Sequence, residues 1–311
     1  LRVGAKKDGS LTALHLVSHG TGGTGTGAGT AGPVQNLYPT PALLTEEHDV
    51  FTNAGPAAAF RAPGHPQGCF ALEQAIDELA ERLGLDPLAL RDTIDVDGPT
   101  MIDSDVRKLE RRVGAERFGW ARRHAAGADA GPLKRGVGFA QSVWYRLTNF
   151  DSACEVRVWK DGLVEVRSAV QDIGGGIRTA LAQVVAEELG LEARDVIVRI
   201  GDTDHPPGPP SGGSMTTGSI TPAARDAAHR VRRQVVEAAA RALSVTAAEV
   251  ELGRGTLSVR GDPARAVTFA QACAGLRTEP CAERAARQDE YGAAEGKGRS
   301  RMGVESLGGA V

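Results

Sequence analysis

Residues 164–200 read VEVRSAVQDIGGGIRTALAQVVAEELGLEARDVIVRI, and this stretch decides much of the fold. Apolar and polar residues alternate up to Val170, which predicts a strand, and three glycines at 174–176 then interrupt the alternation. Apolar residues at helical spacing predict a helix over Ile177 to Leu189, and a second apolar run predicts a strand over Val196 to Ile200. The stretch therefore predicts a βαβ-like unit with a glycine-rich loop before its helix.

The flanking segments extend this pattern into an α+β fold of mixed sheets and packed helices. Upstream, Asp161-Gly162 separates two alternating runs and is typical of a hairpin turn. Downstream, a loop rich in proline, glycine and serine over Pro206 to Ser219 precedes a helix over about Pro222 to Leu243. A strand is predicted near Val250 to Val259.

The N-terminal half is organised around one amphipathic helix. Apolar side chains share one face over Cys69 to Leu83, and Gly84 ends the helix. Leu11 to His19 alternates like a strand and runs into a glycine tract at 20–29, which predicts a loop followed by irregular, proline-rich sequence. A polar helix over about 104–124, capped by its first serine, is expected to be a solvated surface element.

Composition excludes several classes of protein. The 311 residues are 41% hydrophobic and 24% charged, and no apolar run is long enough to span a bilayer. With 36 basic and 39 acidic residues the net charge is −3, which gives no basic field for nucleic acid. The 40 glycines form about an eighth of the chain where roughly 7% is ordinary. Backbone groups are therefore expected to do work that side chains usually do.

Common catalytic and metal-binding patterns are weakly represented. The four cysteines (Cys69, Cys154, Cys273 and Cys281) form no CxxC pair, so we expect buried free thiols. The seven histidines never fall four residues apart with a carboxylate between them, which gives a zinc hydrolase little support. No G-x-S-x-G appears, and no cysteine has a recognisable nucleophile context.

Two segments approach nucleotide-binding motifs. Gly20-Thr21-Gly22-Gly23-Thr24-Gly25 matches G-x-G-x-x-G after a strand, but that motif needs a helix directly after it, and more glycine and Pro33 follow here. A nicotinamide-dependent dehydrogenase built on this tract is therefore the last-ranked alternative. Gly292 to Lys297 has three residues between its glycines, whereas a phosphate loop has four.

Two glycine-rich loops, each before a predicted helix, are better candidates for an anion site. Backbone N–H groups of Gly174 to Gly176 and the positive end of the helix dipole would face an anion, and Thr179 could add a hydroxyl. Around Gly212 and Gly213, hydroxyls cluster at Ser211, Ser214, Thr216, Thr217 and Ser219. The alternative is that both loops are turns with ordinary helix caps.

A third segment, Phe60 to Gln67, is a turn stiffened by proline and glycine directly before the amphipathic helix. It could hold Arg61 and a few backbone groups rigidly toward a cleft. The alternative is a solvent-facing arginine beside a helix-capping turn.

Three segments carry a family resemblance: FRAPGHPQGCFALEQAIDELAERLGLDPLALR at 60–91, VQDIGGGIRTALAQVVAEELGL at 170–191 and GDTDHPPGPPSGGSMTTGS at 201–219. Together they resemble the large molybdenum-cofactor-binding subunit of the xanthine dehydrogenase and aldehyde oxidase family, especially its bacterial aldehyde-oxidoreductase branch. Their order and spacing are similar to those of the family over almost the whole chain. The resemblance implies that the fold is part of the molybdopterin-binding domains of a molybdenum hydroxylase.

Such an enzyme oxidises aldehydes or N-heterocycles with water as oxygen source. The resemblance implies molybdenum held by a pterin dithiolene, in the plain or cytosine dinucleotide form, and by no side chain. It implies that Arg61 orients the substrate near molybdenum. It also implies cofactor contacts from Arg61, Ala62, Gly64, Asp172, Gly174, Gly175, Gly176, Thr179, Ser211, Gly212, Gly213, Ser214, Met215, Thr216 and Thr217. The family commonly has Gly-Gln-Gly or Gly-Thr-Gly at 174–176, so Gly175 loses a side-chain contact.

The resemblance also implies partners and missing parts. Electrons in the family leave through 2Fe-2S clusters and FAD, which four scattered cysteines cannot hold, so we expect an iron–sulfur subunit and an FAD subunit as partners. The family's Gly-Gly-Phe-Gly-Gly loop and the Gly-Glu-Pro that carries its catalytic glutamate are not found, and Glu279-Pro280 is not assigned as the general base. We therefore expect this chain to be an internal fragment of a longer subunit. We expect the enzyme to lie in the cytoplasm, with the periplasm as the alternative compartment. The alternative function is a split or decayed, non-catalytic cofactor-binding or interaction module.

Three parts are expected along the chain. Residues 1–130 would end a first molybdopterin-binding subdomain and contain the turn at 60–67 and the helix after it. Residues 131–277 would form a second subdomain with both glycine-rich loops. Residues 278–311 would be a linker, mobile up to about Arg301, and the start of a truncated strand.

Overall fold

The computed structural model describes residues 1–27, 29–96, 104–125, 127–287 and 302–307. The chain divides into two compact units, one of Leu1–Tyr145 with Gly303–Val311 and one of Arg146–Met302. The predicted linker beyond residue 287, the segment 292–297 and the chain end at 308–311 lie outside the described residues. The predicted α+β class, with mixed sheets and packed helices, is confirmed.

The first unit places helices on a three-stranded sheet. Strands β1 (Arg2–Ala5), β2 (Leu11–Gly20) and β3 (Ala42–Asp49) lie in the order β1-β2-β3, with β1 antiparallel and β3 parallel to β2. Helix α1 (Ala31–Asn36) joins β2 to β3, and α2 (His65–Leu83) and α3 (Pro87–Ile94) follow. The core contains Leu14, Leu37, Tyr38, Leu72, Ile76 and Leu90, all of them buried.

Three elements of this unit differ from the sequence-based expectation. The stretch expected to be irregular contains β3, whose residues are mostly exposed and therefore lack the alternation of a half-buried strand. Helix α2 begins four residues before Cys69, because Gly64 at φ 77° turns the chain into the helix and Pro66 suits its first turn. Helix α3 was not predicted; the side chain of Asp86 caps it by accepting the N–H groups of Leu88 and Ala89.

The polar helix was expected to be a solvated surface element reaching His124. Most of its residues are exposed or half-buried, but it ends earlier and one face of it is buried. Helix α4 (Ser104–Phe118) ends where Gly119 turns left-handed, at φ 81°. Arg107 and Arg111 on this helix are buried, and both donate to the carboxylate of Asp95, which is itself fully buried. An arginine can be buried when its charge is paired, so polarity alone did not reveal this face.

The second unit packs two helices on one face of a four-stranded sheet. Strands β5 (Ala153–Val158), β6 (Val164–Ser168) and β7 (Val196–Ile200) join the later strand β11 (Cys281–Ala286) in the order β11-β5-β6-β7. Helix α5 (Ile177–Leu189) and β7 have the predicted bounds, and the hairpin at Asp161-Gly162 is confirmed. Helix α6 (Thr216–Leu243) packs beside α5. Strand β4 (Ser142–Leu147), most of which belongs to the first unit, pairs with the last strand, β12 (Met302–Leu307).

Helix α6 begins six residues earlier than predicted, so Pro222 lies inside it. Proline has no N–H, and the carbonyl of Gly218 therefore lacks its usual helical donor. The buried Arg287 replaces that donor, with its Nε atom 3.3 Å from the Gly218 oxygen. This tertiary contact thus compensates for Pro222, the residue at which the sequence predicted the helix to begin.

The predicted strand at 250–259 is instead a hairpin of β8 (Val250–Gly253) and β9 (Thr256–Val259), which turns at Arg254 and Gly255, both with positive φ. Strand β10 (Asp262–Thr268) and helix α7 (Phe269–Cys273) follow it. Residues 281–286, expected in the linker, form β11, which is antiparallel to β5 and buries Cys281 and Ala285. All four cysteines are buried and free, as predicted. No helix in the described part of the chain has the length and apolar character to span a membrane.

Candidate cofactor site

The first glycine-rich loop connects β6 to α5. Gly174 has φ +95° and Gly176 has φ +78°, which only glycine adopts readily, whereas Gly175 between them has no positive φ. Residues 171–176 are exposed, and a Cβ atom added at any of the three glycines would meet nothing within 4 Å. The loop therefore offers bare backbone with open space in front of it.

Asp172 organises this loop from within. Its Oδ1 atom accepts the N–H of Gly174 at 2.9 Å. This bond is the main reason why the pKa of Asp172 is lowered, and backbone N–H groups of Arg178 and Gly176 act in the same direction. The carboxylate expected to contact a cofactor thus holds the loop in shape and binds N–H groups at the start of α5.

The second loop, 206–215, packs against the first at its base. The carbonyl of Pro206 accepts the N–H of Ala169 at 2.7 Å. Gly208 is required by this approach, because a Cβ atom there would lie 2.4 Å from the backbone nitrogen of Val170. Farther along, Gly213 and Ser214 both have φ +61°, and this turn leads the chain into α6.

One hydroxyl joins the exposed parts of the two loops. The Oγ atom of Ser211 lies 3.1 Å from the backbone oxygen of Gln171 and 3.1 Å from its Oε1 atom. The two loops that the sequence marked separately, forty residues apart, therefore form one surface.

Helices α5 and α6 start from this surface and run in the same direction. Glu188, near the end of α5, contacts Arg225, His229 and Arg232 about three to five turns along α6, at 3.8, 2.8 and 3.1 Å. Because the loops meet at one end and these side chains meet farther along, both N-termini lie at the loop surface. Asp172 already accepts N–H groups at the start of α5, so it is the positive dipole end of α6 and its first N–H groups that favour an anion there.

The predicted hydroxyls of this surface differ in what they contact. Three of them are exposed, on Thr179, Ser214 and Thr217. Beside them, Gly212 is exposed and Met215 is half-buried. Ser211 bonds the first loop, and the hydroxyl of Thr216 lies 3.5 Å from the carbonyl of Pro210. The hydroxyls of Thr179, Ser214 and Thr217 are therefore accessible from solvent, whereas those of Ser211 and Thr216 shape the loop.

The Arg61 turn belongs to the first unit. Arg61 and Ala62 have φ of +30° and +52°, which side chains rarely adopt, and such strain is typical of functional sites. Gly64 lies so close to the preceding glycine tract that a Cβ atom would be 1.6 Å from the carbonyl oxygen of Gly29. The Arg61 side chain is exposed, and Ala62 accepts the N–H of His65 at 3.1 Å. The turn therefore presents the arginine on a rigid, strained backbone.

The glycine tract at 20–29 does precede a helix, contrary to the expectation. The N–H groups of Thr30 and Ala31 at the start of α1, however, donate to one carboxylate oxygen of Glu47. A protein carboxylate already takes the place that a phosphate would need. Glu47 lies on β3, a strand that the sequence analysis did not predict. The alternative of a nicotinamide-dependent dehydrogenase therefore loses its phosphate site at this tract.

Among the described residues, no group of three or more His, Cys, Asp and Glu side chains is placed to hold a metal ion.

Comparison with known proteins identifies the family. Two models described as molybdopterin cofactor-binding domains match residues 1–93 and 113–304. The aldehyde oxidoreductase molybdenum-binding subunit PaoC of Escherichia coli K12 is 33% identical over 245 residues, covering 76% of this chain and 34% of that protein. The xanthine dehydrogenase molybdenum-binding subunit of E. coli O157:H7 is 29% identical over 279 residues, or 82% of this chain and 36% of that one. The chain thus spans about a third of the length of these relatives.

Solved structures show the same fold. Reconstituted CO dehydrogenase from Oligotropha carboxidovorans matches with a TM-score of 0.71 at 22% identity, covering 91% of this chain and 41% of that one. Quinoline 2-oxidoreductase from Pseudomonas putida 86 matches with a TM-score of 0.69 at 22% identity, over 91% of this chain and 42% of that one. With family models over most of its length, this chain belongs to the molybdopterin cofactor-binding family.

Proposed function

We propose that this chain is the molybdopterin-binding part of a molybdenum hydroxylase subunit that oxidises aldehydes or N-heterocycles with water as oxygen source. The observation that carries the proposal is the joining of two glycine-rich loops at the N-termini of two parallel helices in the second unit. A dinucleotide form of the pterin, such as the cytosine dinucleotide, carries phosphates that suit these helix ends.

The residues of the loop surface fit a large, polar, anionic group. Residues 174–176 leave their backbone bare and the space beyond it open, and the hydroxyls of Thr179, Ser214 and Thr217 face solvent beside them. The backbone N–H groups of Gly175, Gly212 and Ser214 would bind pterin and phosphate oxygens, while Asp172 and Ser211 hold the two loops in place. When bound, the cofactor supplies two-electron redox chemistry at a metal that its own dithiolene holds.

Arg61 would bind and orient an oxygen of the substrate. Its guanidinium is a planar fork of donors, and the strained turn at Arg61 and Ala62 limits the directions it can take. Ala62 and Gly64 would add backbone contacts to the cofactor. No residue of this chain is assigned as the general base.

Electrons would leave this subunit through 2Fe-2S and FAD groups on partner subunits. Burial raises the pKa of Cys154 to about 12 and that of Cys281 to about 11, which opposes the thiolate that a cluster needs. We place the assembled enzyme in the cytoplasm. The competing proposal is a non-catalytic cofactor-binding module. Such a module would bind the cofactor at the same loop surface but would not turn over a substrate.

The test uses the full-length subunit in its native complex. Gly176→Ala places a Cβ at φ +78°, which costs about 1–2 kcal/mol and changes the loop, whereas Gly253→Ala in β8, where φ is not positive and a Cβ meets nothing within 4 Å, costs no such strain. We expect the first variant to retain about ten-fold less molybdenum and pterin, measured by elemental analysis and by fluorescence of the oxidised pterin. The second should retain both and oxidise aldehydes or heterocycles.

Full cofactor content in Gly176→Ala would contradict the loop assignment. A complex that holds cofactor but oxidises neither substrate class would favour the non-catalytic module.

A further inference from the structure

The outer face of the sheet in the second unit is lined with charged side chains. Helices α5 and α6 cover the opposite face, where Val156, Val166 and Val198 point. Strand residues alternate between the two faces, and those of the outer face are Glu155, Arg157, Glu165, Arg167, Ile197, Arg199, Ala282 and Arg284. We call this set the arginine face.

The strand register brings these charges into rows. Arg284, Glu155, Arg167 and Arg199 are successive cross-strand neighbours on β11, β5, β6 and β7. The adjacent row is Ala282, Arg157, Glu165 and Ile197. Four arginines therefore share two glutamates, and the face keeps an excess of positive charge.

Both glutamates accept hydrogen bonds from arginines of this face, whereas most of the guanidinium N–H groups donate none within the described residues. Arg157 donates through Nε to Glu155, and Arg167 donates through Nε to Glu165. Arg199 also uses Nε, 3.2 Å from the second oxygen of Glu165. The terminal nitrogens, which form the fork that binds carboxylates in pairs, make no hydrogen bond within the described residues.

These side chains are accessible. Arg199 is 60% exposed, Arg157 and Arg167 are each more than a quarter exposed, and Arg284 is exposed. The apolar side chain of Ile197 is 36% exposed beside them. Arginine is enriched at protein interfaces and at their hot spots relative to the rest of the surface.

A small pocket lies where the arginine face meets the loop at 204–207. Arg157, Arg167 and Arg284 line it from three strands, and Glu155, Asp204 and His205 line it as well, so three guanidinium groups outnumber two carboxylates there. Its volume of about 150 Å³ is well below the 300–1,000 Å³ typical of small-molecule sites, but it has room for one side chain. Three guanidinium groups around such a space suit a carboxylate.

We infer that the arginine face docks an acidic segment of a separately folded partner chain, one of whose carboxylates enters the pocket between Arg157, Arg167 and Arg284. Two glutamates within the face and a net charge of −3 on the chain disfavour a polyanion such as nucleic acid. A carboxylate-bearing protein surface matches the excess positive charge of the guanidinium groups. The inference is independent of which substrate the enzyme oxidises.

Arginine-selective labelling with phenylglyoxal, read by mass spectrometry, tests the inference on the full-length subunit alone and in its complex. We expect labelling of Arg157, Arg167, Arg199 and Arg284 to slow at least about five-fold in the complex. Arg194 and Arg260, which are 79% and 67% exposed and lie off this face, should react equally in both samples. Equal labelling of the arginine face in both samples would overturn the inference. Protection already present in the isolated subunit would also overturn it, because the same polypeptide would then cover the face.

A charge reversal gives a second readout. Arg199→Glu with Arg284→Glu should weaken the subunit's association at least about ten-fold near 50 mM salt, and by less at high salt, as followed by sedimentation velocity. The matched control is Arg194→Glu with Arg260→Glu. Should the double variant misfold, as seen by circular dichroism, Arg199→Gln alone is measured against Arg194→Gln. Equal association of the test and control variants would contradict the docking role.

Discussion

The hydroxyl oxygen of Ser211 lies 3.1 Å from both the backbone oxygen and the side-chain Oε1 atom of Gln171, so a single residue ties the loop before α6 to the loop before α5. The link is exposed and local, and it connects the two segments that present backbone N–H groups at the helix N-termini. It therefore contributes more to the shape of the loop surface than to the stability of the unit.

Ser211→Ala should separate these two contributions. We expect the free energy of unfolding to change by less than about 1 kcal/mol, because an exposed hydrogen bond is replaced by water. Molybdenum and pterin content of the full-length subunit should fall several-fold, because the loops are no longer held together. Ser258→Ala in β9, far from the loops in sequence, is the control. Unchanged cofactor content in Ser211→Ala would show that the link has no part in binding.

Replacing Arg61 by lysine tests whether the guanidinium fork orients the substrate. Lysine keeps the charge but has no planar fork, so we expect kcat/KM to fall about 10- to 100-fold while cofactor content stays constant. Arg82→Lys is the control, since Arg82 is an exposed residue of α2, 3.9 Å from Glu78. A wild-type kcat/KM in Arg61→Lys would contradict the assignment of Arg61 to substrate orientation.

The two ends of α2 provide a matched pair of glycines. Gly64 and Gly84 have nearly equal φ, 77° and 67°, but a Cβ atom at Gly64 would lie 1.6 Å from the oxygen of Gly29, whereas at Gly84 it meets nothing within 4 Å. Gly84→Ala should cost about 1 kcal/mol from backbone strain alone. Gly64→Ala should cost at least about 2 kcal/mol more, because the glycine tract must move. Chemical denaturation measures both, and equal losses would refute the close approach.

Asp95 is the buried partner of two arginines of α4. Asp95→Asn leaves Arg107 without its charge partner and Arg111 with only the exposed Asp92, and removing one member of a buried pair costs about 3–5 kcal/mol. Glu192→Gln, which removes an exposed pair with Arg194, should cost less than about 1 kcal/mol. A loss at Asp95 no larger than that of this control would mean that the network is dispensable.

Glu188 makes the stability of the second unit depend on pH. Burial opposes its charge, but hydrogen bonds from His229 and Arg232 outweigh burial and lower its pKa. A carboxyl whose pKa is lower in the folded state adds stability above its unfolded pKa of about 4.3 and loses it as the pH falls. Glu188→Gln should therefore reduce the free energy of unfolding at pH 7 and flatten its decline below about pH 4.5. A decline as steep as that of the wild type would assign the acid sensitivity to other groups.

Local sequence patterns predicted those elements whose residues meet mainly their own neighbours. Helix α5 and strand β7 have the predicted bounds because apolar spacing and flanking glycines specify them directly. Strand β3 escaped prediction because its exposed side chains show no alternation. Strand β11 did so because it is specified by pairing with β5, more than a hundred residues earlier.

The family, the two glycine-rich loops before their helices and the turn that carries Arg61 could all be predicted from the sequence, because each of these depends on residue types within a short segment. The strain of that turn, the contact of Ser211 with Gln171, the filling of the start of α1 by Glu47 and the burial of two arginines of α4 against Asp95 became visible only in the folded chain. These contacts join residues 12 to 40 positions apart. Whether such residues meet depends on how whole elements pack, and a polar side chain looks the same in the sequence whether it faces water, a ligand or a buried partner.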